Sequence, residues 1–461
     1  MKNLLKSYRL KFYKFILFIV LIPVTPLLAQ VQQSTPSGDQ YNFTRQQAID
    51  FALQHQSTLQ NAKIDETIAD QKVRELLSVA LPQVNGSAEL DDYVAKPVTI
   101  LPAAFGSFFG LPPGKTLAVS FLLQYQATAG VSASQILFDG TVLLGIKAAK
   151  TYAELSRKIT RSSSIDVVAN VTKAYYGVII NENNLSSLDS TITLLQKSLD
   201  DAKAMYAQGF VEKLDVDRLT VTLSNLQSQR QNLRSIVDLN YYLLKFQMGM
   251  PVNASLTLAG KIPDQFQEPA IETADYNKRI EYSILETARE LDAFNVRRYN
   301  EGYLPTLSAF GSLSAVNYQN EADLFNPKDQ WFPTGLVGLR LNVPIFDGFR
   351  KDAQIQQAKM AMMQNQNDIS NFKNLVDLQV KQSSIGYENS YKILISQKAN
   401  LKLAEDVARV TKIKYEEGVG TNLEVTTAES DLITAQTNYF NALYNLAIAH
   451  VDLLRAKGTL Y

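Results

Sequence analysis

The chain contains the same set of motifs twice, in the same order, along its 461 residues. Leu-Pro comes first, then Phe-Asp-Gly, and then a tyrosine followed three residues later by glycine, with a leucine and a valine beyond it. These motifs lie at Leu81 and Leu304, at Phe138 and Phe346, at Tyr206, Gly209, Leu214 and Val216, and at Tyr415, Gly418, Leu423 and Val425. The two tyrosines are 209 positions apart (415 − 206). This period is far longer than a solenoid repeat, so a whole supersecondary unit has been duplicated.

Each copy has the same predicted elements. An opening helix precedes a pair of strands, and a long helix then leads through a tight glycine turn into a return helix. The first repeat, 31–260, is predicted to hold a helix at 43–78, strands at 82–94 and 120–136, a long helix at 141–207, a turn near 209 and a return helix at 212–249. The second repeat, 261–461, is predicted to hold a helix at 272–301, strands at 305–318 and 334–346, a long helix at 349–416, a turn near 418 and a return helix at 421–458.

The helix lengths predict a tall wall of helices. At about 1.5 Å per residue, a long helix of about 67 residues spans roughly 100 Å, close to the opening and return helices stacked end to end. The return helices carry apolar residues at alternating spacings of four and three, which is a coiled-coil seam. This seam runs through Ala428, Leu432, Ala435, Tyr439, Ala442, Leu446, Ala449, Leu453 and Ala456, and in the first copy through Leu219, Leu223, Leu226, Arg230, Leu233, Val237, Asn240 and Leu244.

The first thirty residues predict export. Five basic residues precede the apolar run 15–22, and Leu27-Leu28-Ala29 ends this region on a small residue. This is the pattern of a secretory signal peptide, predicted at 1–30. No later run of 18 apolar residues occurs, so any membrane crossing is expected to use strands of a closed barrel.

The predicted strands alternate between polar and apolar residues, as outer-membrane barrel strands do. A soluble antiparallel sheet has the same alternation, so the strands alone leave both possibilities open. A charge facing lipid is costly, and Glu89, Asp91 and Arg340 are therefore the candidates for the barrel lumen. Four strands cannot close a barrel, because the smallest barrels have about eight. A barrel would therefore need several copies of the chain, and three copies would supply twelve strands.

Composition argues against several functional classes. Lys plus Arg and Asp plus Glu both number 45, so no charge excess points to nucleic acid. There is no cysteine and there are only two histidines, His55 and His450, in separate helical stretches. We find no motif of a catalytic, cofactor-binding or metal site. The chain is therefore expected not to be an enzyme, with no catalytic residues, no cofactor and no metal.

In these motifs the chain resembles the TolC family of outer-membrane efflux proteins, over about 43–461. The resemblance implies a mainly α fold with a membrane β-barrel part: a homotrimer with a twelve-stranded barrel in the outer membrane and a twelve-helix tube extending into the periplasm. It implies an exit duct of a tripartite efflux or secretion system. The expected partners are a periplasmic adaptor (membrane fusion) protein and an inner-membrane pump of the RND or ABC type, together with outer-membrane lipid and no nucleic acid.

The resemblance also places candidate sites. Adaptors bind the hairpin tips in this family, which implies docking at Tyr206, Gly209, Leu214, Tyr415, Gly418 and Leu423. Family members carry acidic residues at the channel entrance, but the corresponding turn here has Arg409 and Lys412. The candidate entrance charges are Glu405, Asp406, Arg409, Lys412, Glu416 and Glu417.

The connection 95–119 is expected to be a loop that faces the outside and partly caps the exit. The alternative function is a secreted coiled-coil scaffold or adhesin with no channel.

Overall fold

The computed structural model describes residues 41–461 except 111, 113, 261–265, 269–273 and 323–329. The predicted signal peptide, 1–30, lies outside the described residues. Residues Asn42–Tyr461 form one compact unit. The elements of the first repeat are β1 (Tyr41–Phe43), α1 (Arg45–His55), α2 (Ser57–Ser78), β2 (Gln83–Asp92), β3 (Thr99–Leu101), α3 (Ala103–Phe108), β4 (Leu117–Val119), β5 (Tyr125–Phe138), α4 (Gly140–Ala207), α5 (Lys213–Met248) and β6 (Leu256–Leu258). Those of the second are a 3-10 turn (Tyr276–Lys278), α6 (Ile280–Glu301), β7 (Thr306–Gln319), β8 (Phe332–Asn342), α7 (Arg350–Glu416) and α8 (Asn422–Lys457).

The opening helix of each repeat differs from its prediction. The prediction of one helix over 43–78 is wrong. Extended backbone at Gln56 (φ −67°, ψ 121°) separates α1 from α2. The Gln56 side chain accepts the hydrogen bond of Thr58 N and so caps the second piece. In the second repeat, residues 274 and 275 are not helical, and the helix begins at Ile280 rather than at 272.

Each long helix begins at a Phe-Asp-Gly motif, but the two copies use the aspartate differently. Asp139 caps α4, accepting hydrogen bonds from Thr141 N and Val142 N. Asp347 instead bonds to Lys351, accepting from its backbone N at 3.3 Å and pairing with its Nζ at 3.1 Å. These bonds hold the pKa of Asp347 below its usual range. No helix in the described part of the chain is both long and apolar enough to cross a membrane.

The seam predicted on the return helices is buried at the apolar positions of α5 and only in part in α8. In α5 its leucine and valine positions are all buried, and with α4 and Ile433 of α8 most of them form one apolar cluster. Its two polar positions are accommodated: Arg230 pairs with Asp189, and Asn240 donates to Gly177 O at 3.2 Å. In α8, four alanines of the seam are buried: Ala428, Ala435, Ala442 and Ala456. Small residues there allow close approach of the helix axes.

The four long strands form one antiparallel sheet in the order β2-β5-β7-β8. The central pair, β5 with β7, joins the two repeats. Its outer strands, β2 and β8, each have one edge with no partner strand among the described residues. The long helices start at one end of this sheet, since Phe138 ends β5 just before α4.

The connection between β2 and β5, expected as a loop at 95–119, contains two short paired strands and a short helix. Strands β3 and β4 pair with Thr99 opposite Val119 and Leu101 opposite Leu117. The short helix α3 lies between them in the chain. Because β2 and β5 both meet this segment at their ends away from the helices, it lies at the far end of the sheet.

Candidate functional sites: the hairpin tips and the sheet faces

Both hairpin turns rest on a glycine in the left-handed region. Gly209 and Gly418 each have φ +77°, a conformation that strains residues with a Cβ. The residue after each glycine bonds back to its helix: Phe210 N donates to Met205 O at 2.9 Å, and Val419 N donates to Lys414 O at 3.0 Å. The two copies of the motif therefore form the same turn.

The two tips lie side by side. Asn422, at the start of α8, donates from Nδ2 to Asp215 O near the start of α5 at 3.2 Å. The pKa of the Tyr415 hydroxyl is raised, mainly by burial and to a smaller extent by the negative charge of Asp215. Tyr415 therefore lies close to the same aspartate. That hydroxyl has no hydrogen-bond partner within the described part of the chain. Tyr415 is therefore turned towards the neighbouring hairpin rather than towards solvent.

The other predicted docking side chains, Tyr206, Leu214 and Leu423, are exposed. Two further apolar side chains, which sequence reasoning missed, are more exposed still: Phe210 at 81% and Val419 at 78%. Each directly follows a turn glycine, and that position was the available signal. The end of the hairpin pair is thus an uncovered apolar surface, which we name the tip surface: Tyr206, Phe210, Leu214, Val419 and Leu423.

The predicted entrance charges do not converge on one point. Asp406 and Arg409 pair with each other at 3.0 Å, one turn apart on α7. Glu405, Glu416 and Glu417 are exposed on the same helix and its end. Of the six, only Lys412 is partly buried. Its positive charge favours the ionised form of Glu429 in α8.

Glu429 is the polar residue that sequence reasoning missed. It is only 7% exposed, and its Oε2 atom has no hydrogen-bond partner within the described residues. Burial raises the pKa of its carboxyl, and Lys412 partly offsets this effect. An acid in this position costs stability when it is ionised. Its place directly after Ala428 of the seam was the only sequence signal.

Strand register places all three predicted lumen charges on one face of the sheet. Residues directly opposite each other share a face, and alternate residues along a strand share a face. Glu89 lies opposite Thr128, Thr128 opposite Val316, and Val316 opposite Phe332. Arg340 is an even eight positions from Phe332 (340 − 332), and Asp91 is two positions from Glu89, so both share that face.

The two faces differ in chemistry. The polar face carries Gln83, Asn85, Ser87, Glu89, Asp91, Gln126, Thr128, Ser132, Ser134, Ser308, Ser312, Ser314, Thr334, Arg340 and Asn342, together with the apolar residues Phe310, Val316, Phe332 and Leu336. The apolar face carries Val84, Ala88, Leu90, Ala127, Ala129, Val131, Ala133, Leu307, Ala309, Leu313, Ala315, Val337, Leu339 and Leu341. Its polar residues lie towards the strand ends: Asp92, Gln135, Asn317 and Gln319. Val337, Leu339 and Leu341 are exposed, and this face is therefore suited to an apolar environment.

Comparison with known proteins gives one family match. Residues 285–459, most of the second repeat, match the family described as outer membrane efflux protein. Outer membrane efflux protein BepC of Brucella suis is 21% identical over 421 residues, covering 89% of this chain and 84% of BepC. Outer membrane protein TolC of Escherichia coli is 22% identical over 351 residues, covering 72% of this chain and 69% of TolC.

Solved channels share the fold. The structure of CusC superposes with a TM-score of 0.70 at 16% identity, covering 95% of this chain and 97% of CusC. The open state of the Neisseria gonorrhoeae outer membrane channel MtrE superposes with a TM-score of 0.68 at 17% identity, covering 93% of this chain and 94% of MtrE. The similarity spans both repeats, including the first, which the family match does not cover.

Proposed function

We propose that this chain, a member of the TolC family of outer-membrane efflux proteins, is the outer-membrane exit duct of a tripartite efflux or secretion system. The family resemblance drawn from the duplicated motifs is confirmed by the family match and the relatives. The observation that carries the proposed function is the sheet at the end of two long helical hairpins. It has one polar face, one apolar face and two edges that pair with no other strand in the described part of the chain.

We propose that three copies close their sheets into one barrel. Each chain supplies four strands, so three copies supply twelve, and β8 of one copy pairs with β2 of the next. Closure satisfies the backbone groups of both edges, which lipid could not do. The apolar face then meets lipid and the polar face lines the lumen. An arginine such as Arg340 on the lipid face would cost about 2–4 kcal/mol at the bilayer midplane.

We propose that the helices continue the barrel as a tube into the periplasm. The 68 residues of α4 and the 67 of α7 each correspond to roughly 100 Å at about 1.5 Å per residue. Two long helices and two stacked pairs make four helical columns per chain, which gives twelve in a trimer. The buried seam between each long helix and its return helix supports this packing.

We propose that the tip surface binds a periplasmic adaptor protein, which in turn connects to an inner-membrane pump. Five apolar side chains exposed at a hairpin end are expected to be covered by a partner. Glu405, Asp406, Arg409, Lys412, Glu416 and Glu417 remain the proposed entrance charges. Cargo passes through the lumen without reaction, as expected for a family of channels. A secreted scaffold or adhesin would account for the coiled-coil seam but not for the two-faced sheet.

Two measurements test the duct. The mature protein, purified in detergent, is expected to have the mass of three chains and to conduct ions in planar bilayers. A monomer that is recovered from the soluble extract and does not conduct contradicts the proposal.

Strand pairing between copies is tested by cross-linking, because the natural chain has no cysteine. Single cysteines in β2 combined with single cysteines in β8 are expected to give covalent oligomers on oxidation, at pairs whose Cα atoms lie about 5.5 Å apart. The matched control places cysteines at Ser132 and Ser312, which pair within one chain, and it should give no covalent oligomer.

A further inference from the structure

The segment between β2 and β5, residues 93–124, carries only positively charged side chains. It contains two lysines, Lys96 and Lys115, and no aspartate or glutamate. The equivalent connection of the second repeat, 320–331, contains three acidic residues and one lysine. We name residues 93–124 the insert. Its chemistry is thus different from that of its counterpart at the same end of the sheet.

The insert displays aromatic side chains to solvent. Phe108 is 92% exposed, and Phe105, Phe109 and Phe121 are also exposed. Removing a phenylalanine ring from water is favourable, so four exposed rings together favour contact with an apolar or interfacial environment. Contiguous exposed apolar groups mark a surface that meets something other than water.

The insert is held in place, which makes this display a defined surface. Tyr93 N donates to Gln124 O at 2.8 Å, directly beyond the last β2–β5 pair, Asp92 with Tyr125. The pairing of β3 with β4 closes the segment between them. Lys96 Nζ donates to Asn320 Oδ1 at 3.4 Å, which connects the insert to the other connection at this end.

We propose that the insert is a membrane-surface anchor, which packs its phenylalanines and lysines against anionic lipid headgroups of the outer leaflet beside the barrel. The inference rests on the proposed outer-membrane duct, because it needs the far end of the sheet to lie at the outer surface. Aromatic rings are enriched at membrane interfaces, and an anionic lipid surface attracts lysines that lie close to it.

The competing occupant is a second copy of the insert, with the three inserts of a trimer meeting over the exit as a cap. Charge argues against this arrangement. Two lysines in each of three copies would bring six like charges to the axis, whereas the acids of the two connections at this end all belong to the other connection, 320–331. Lipid phosphates neutralise the same lysines while the membrane interface accommodates the rings. The lipid surface therefore fits both features, whereas a cap fits only the rings.

Tryptophan fluorescence tests the anchor in reconstituted full-length channels. The chain has one tryptophan, so Trp331→Phe provides a background without tryptophan emission. Phe108→Trp on this background reports on the insert. Phe210→Trp, at a similarly exposed position on the hairpin tip, is the matched control. The probe is a vesicle of phosphatidylcholine brominated near the headgroup, with and without phosphatidylglycerol.

The emission of Phe108→Trp is expected to be blue-shifted and to lose most of its intensity in the brominated vesicles. The loss should be larger with phosphatidylglycerol, and Lys96→Gln with Lys115→Gln should remove that difference. Phe210→Trp should lose little emission.

Conducting channels whose Phe108→Trp emission is not quenched would overturn the anchor. A cap is indicated if Phe108→Ser with Phe109→Ser raises conductance instead. Absence of conductance in every variant and in the natural chain would contradict the duct itself, so the two failures are distinguishable.

Discussion

Gly249 ends the return helix α5 directly against Gln56, the residue that caps the start of α2. It has φ +72°, and a Cβ built on it would lie 2.8 Å from Gln56 Cα. The second repeat has the same arrangement: Gly458 has φ +69°, and its Cβ would lie 2.7 Å from Lys278 C and 3.2 Å from Arg279 N, just before α6. Each return helix therefore stacks on the opening helix of its own repeat, and glycine permits the contact.

Gly249→Ala and Gly458→Ala are expected to destabilise the protein strongly. The left-handed conformation costs an alanine about 1–2 kcal/mol, and the clash with backbone adds to this, for a total above about 2 kcal/mol. The midpoint of thermal loss of helical circular dichroism measures the effect. Gly145→Ala is the matched control. Gly145 lies within helix α4, and a Cβ added there would meet nothing within 4 Å. That variant should be neutral or slightly more stable, and equal midpoints for all three would contradict the stacking contact.

The polar face predicts ion selectivity of the channel. Glu89→Gln with Asp91→Asn is expected to reduce the preference for cations, since both carboxylates lie on the face proposed to line the lumen. Arg340→Gln should increase that preference. The measurement is the reversal potential across a planar bilayer in a salt gradient. Asp92→Asn is the control, because Asp92 follows Asp91 in the strand and therefore lies on the opposite face. A change in reversal potential as large as that of the Glu89 and Asp91 variant would argue against the assigned faces.

The tip surface predicts loss of adaptor binding without loss of assembly. Leu214→Asp and Leu423→Asp replace exposed apolar side chains by charges, so folding and trimer mass should be unchanged. Binding to the purified adaptor is expected to fall by at least about tenfold per variant, which corresponds to about 1.4 kcal/mol. Surface plasmon resonance measures the affinity, and light scattering measures the mass. Unchanged affinity in both variants would exclude the tip surface as the docking site.

A bulky residue at either turn glycine tests the same site through the backbone. Gly209→Leu and Gly418→Leu place a side chain where φ is +77° but where the space around the Cβ is open. The tip should reshape locally while the helices remain packed. Export is expected to be impaired more than trimer assembly. If export is normal in both variants, docking at the tips is not supported.

Glu429 predicts a pH-dependent stability. Because burial raises the pKa of its carboxyl, the folded chain holds this proton more tightly than the unfolded chain does. The favourable effect is fully present below the ordinary glutamate pKa and is lost as pH rises through the raised value. Glu429→Gln should therefore raise the unfolding midpoint by a few degrees at about pH 8 and much less at about pH 4.

The matched control for this prediction is Glu405→Gln, an exposed position on the neighbouring helix α7. Its effect on the midpoint should be small at both pH values. A Glu429→Gln variant that is equally or less stable at the higher pH would show that Lys412 fully compensates the buried charge.

Local patterns in the sequence predicted a large part of the fold. The turns at Gly209 and Gly418 follow from a glycine placed where a left-handed residue is required, a property of the backbone alone. The spacing of apolar residues predicted the seam of α5, and every leucine and valine of that seam is buried. The site was predicted less completely. The sequence placed charges on strands and apolar residues at the turns, but it missed Glu429, Phe210 and Val419.

What the sequence by itself determined is periodic or local: the duplication, the helical stripes, the strand alternation and the glycine turns. The stripes, the alternation and the turns depend on neighbours within a few residues, and the duplication is visible as a recurrence of whole motifs. Tertiary structure alone decided the break at Gln56, where the stripe of a single helix continues but the end of α5 occupies the space. It also decided that Glu89 and Arg340 share a face, since that depends on the order β2-β5-β7-β8 and on registers between strands more than 200 residues apart (340 − 89 = 251). The burial of Glu429 has the same origin, because α8 packs against the α4–α5 hairpin as well as against α7, and Ile433, one turn further on, belongs to the apolar cluster of that hairpin.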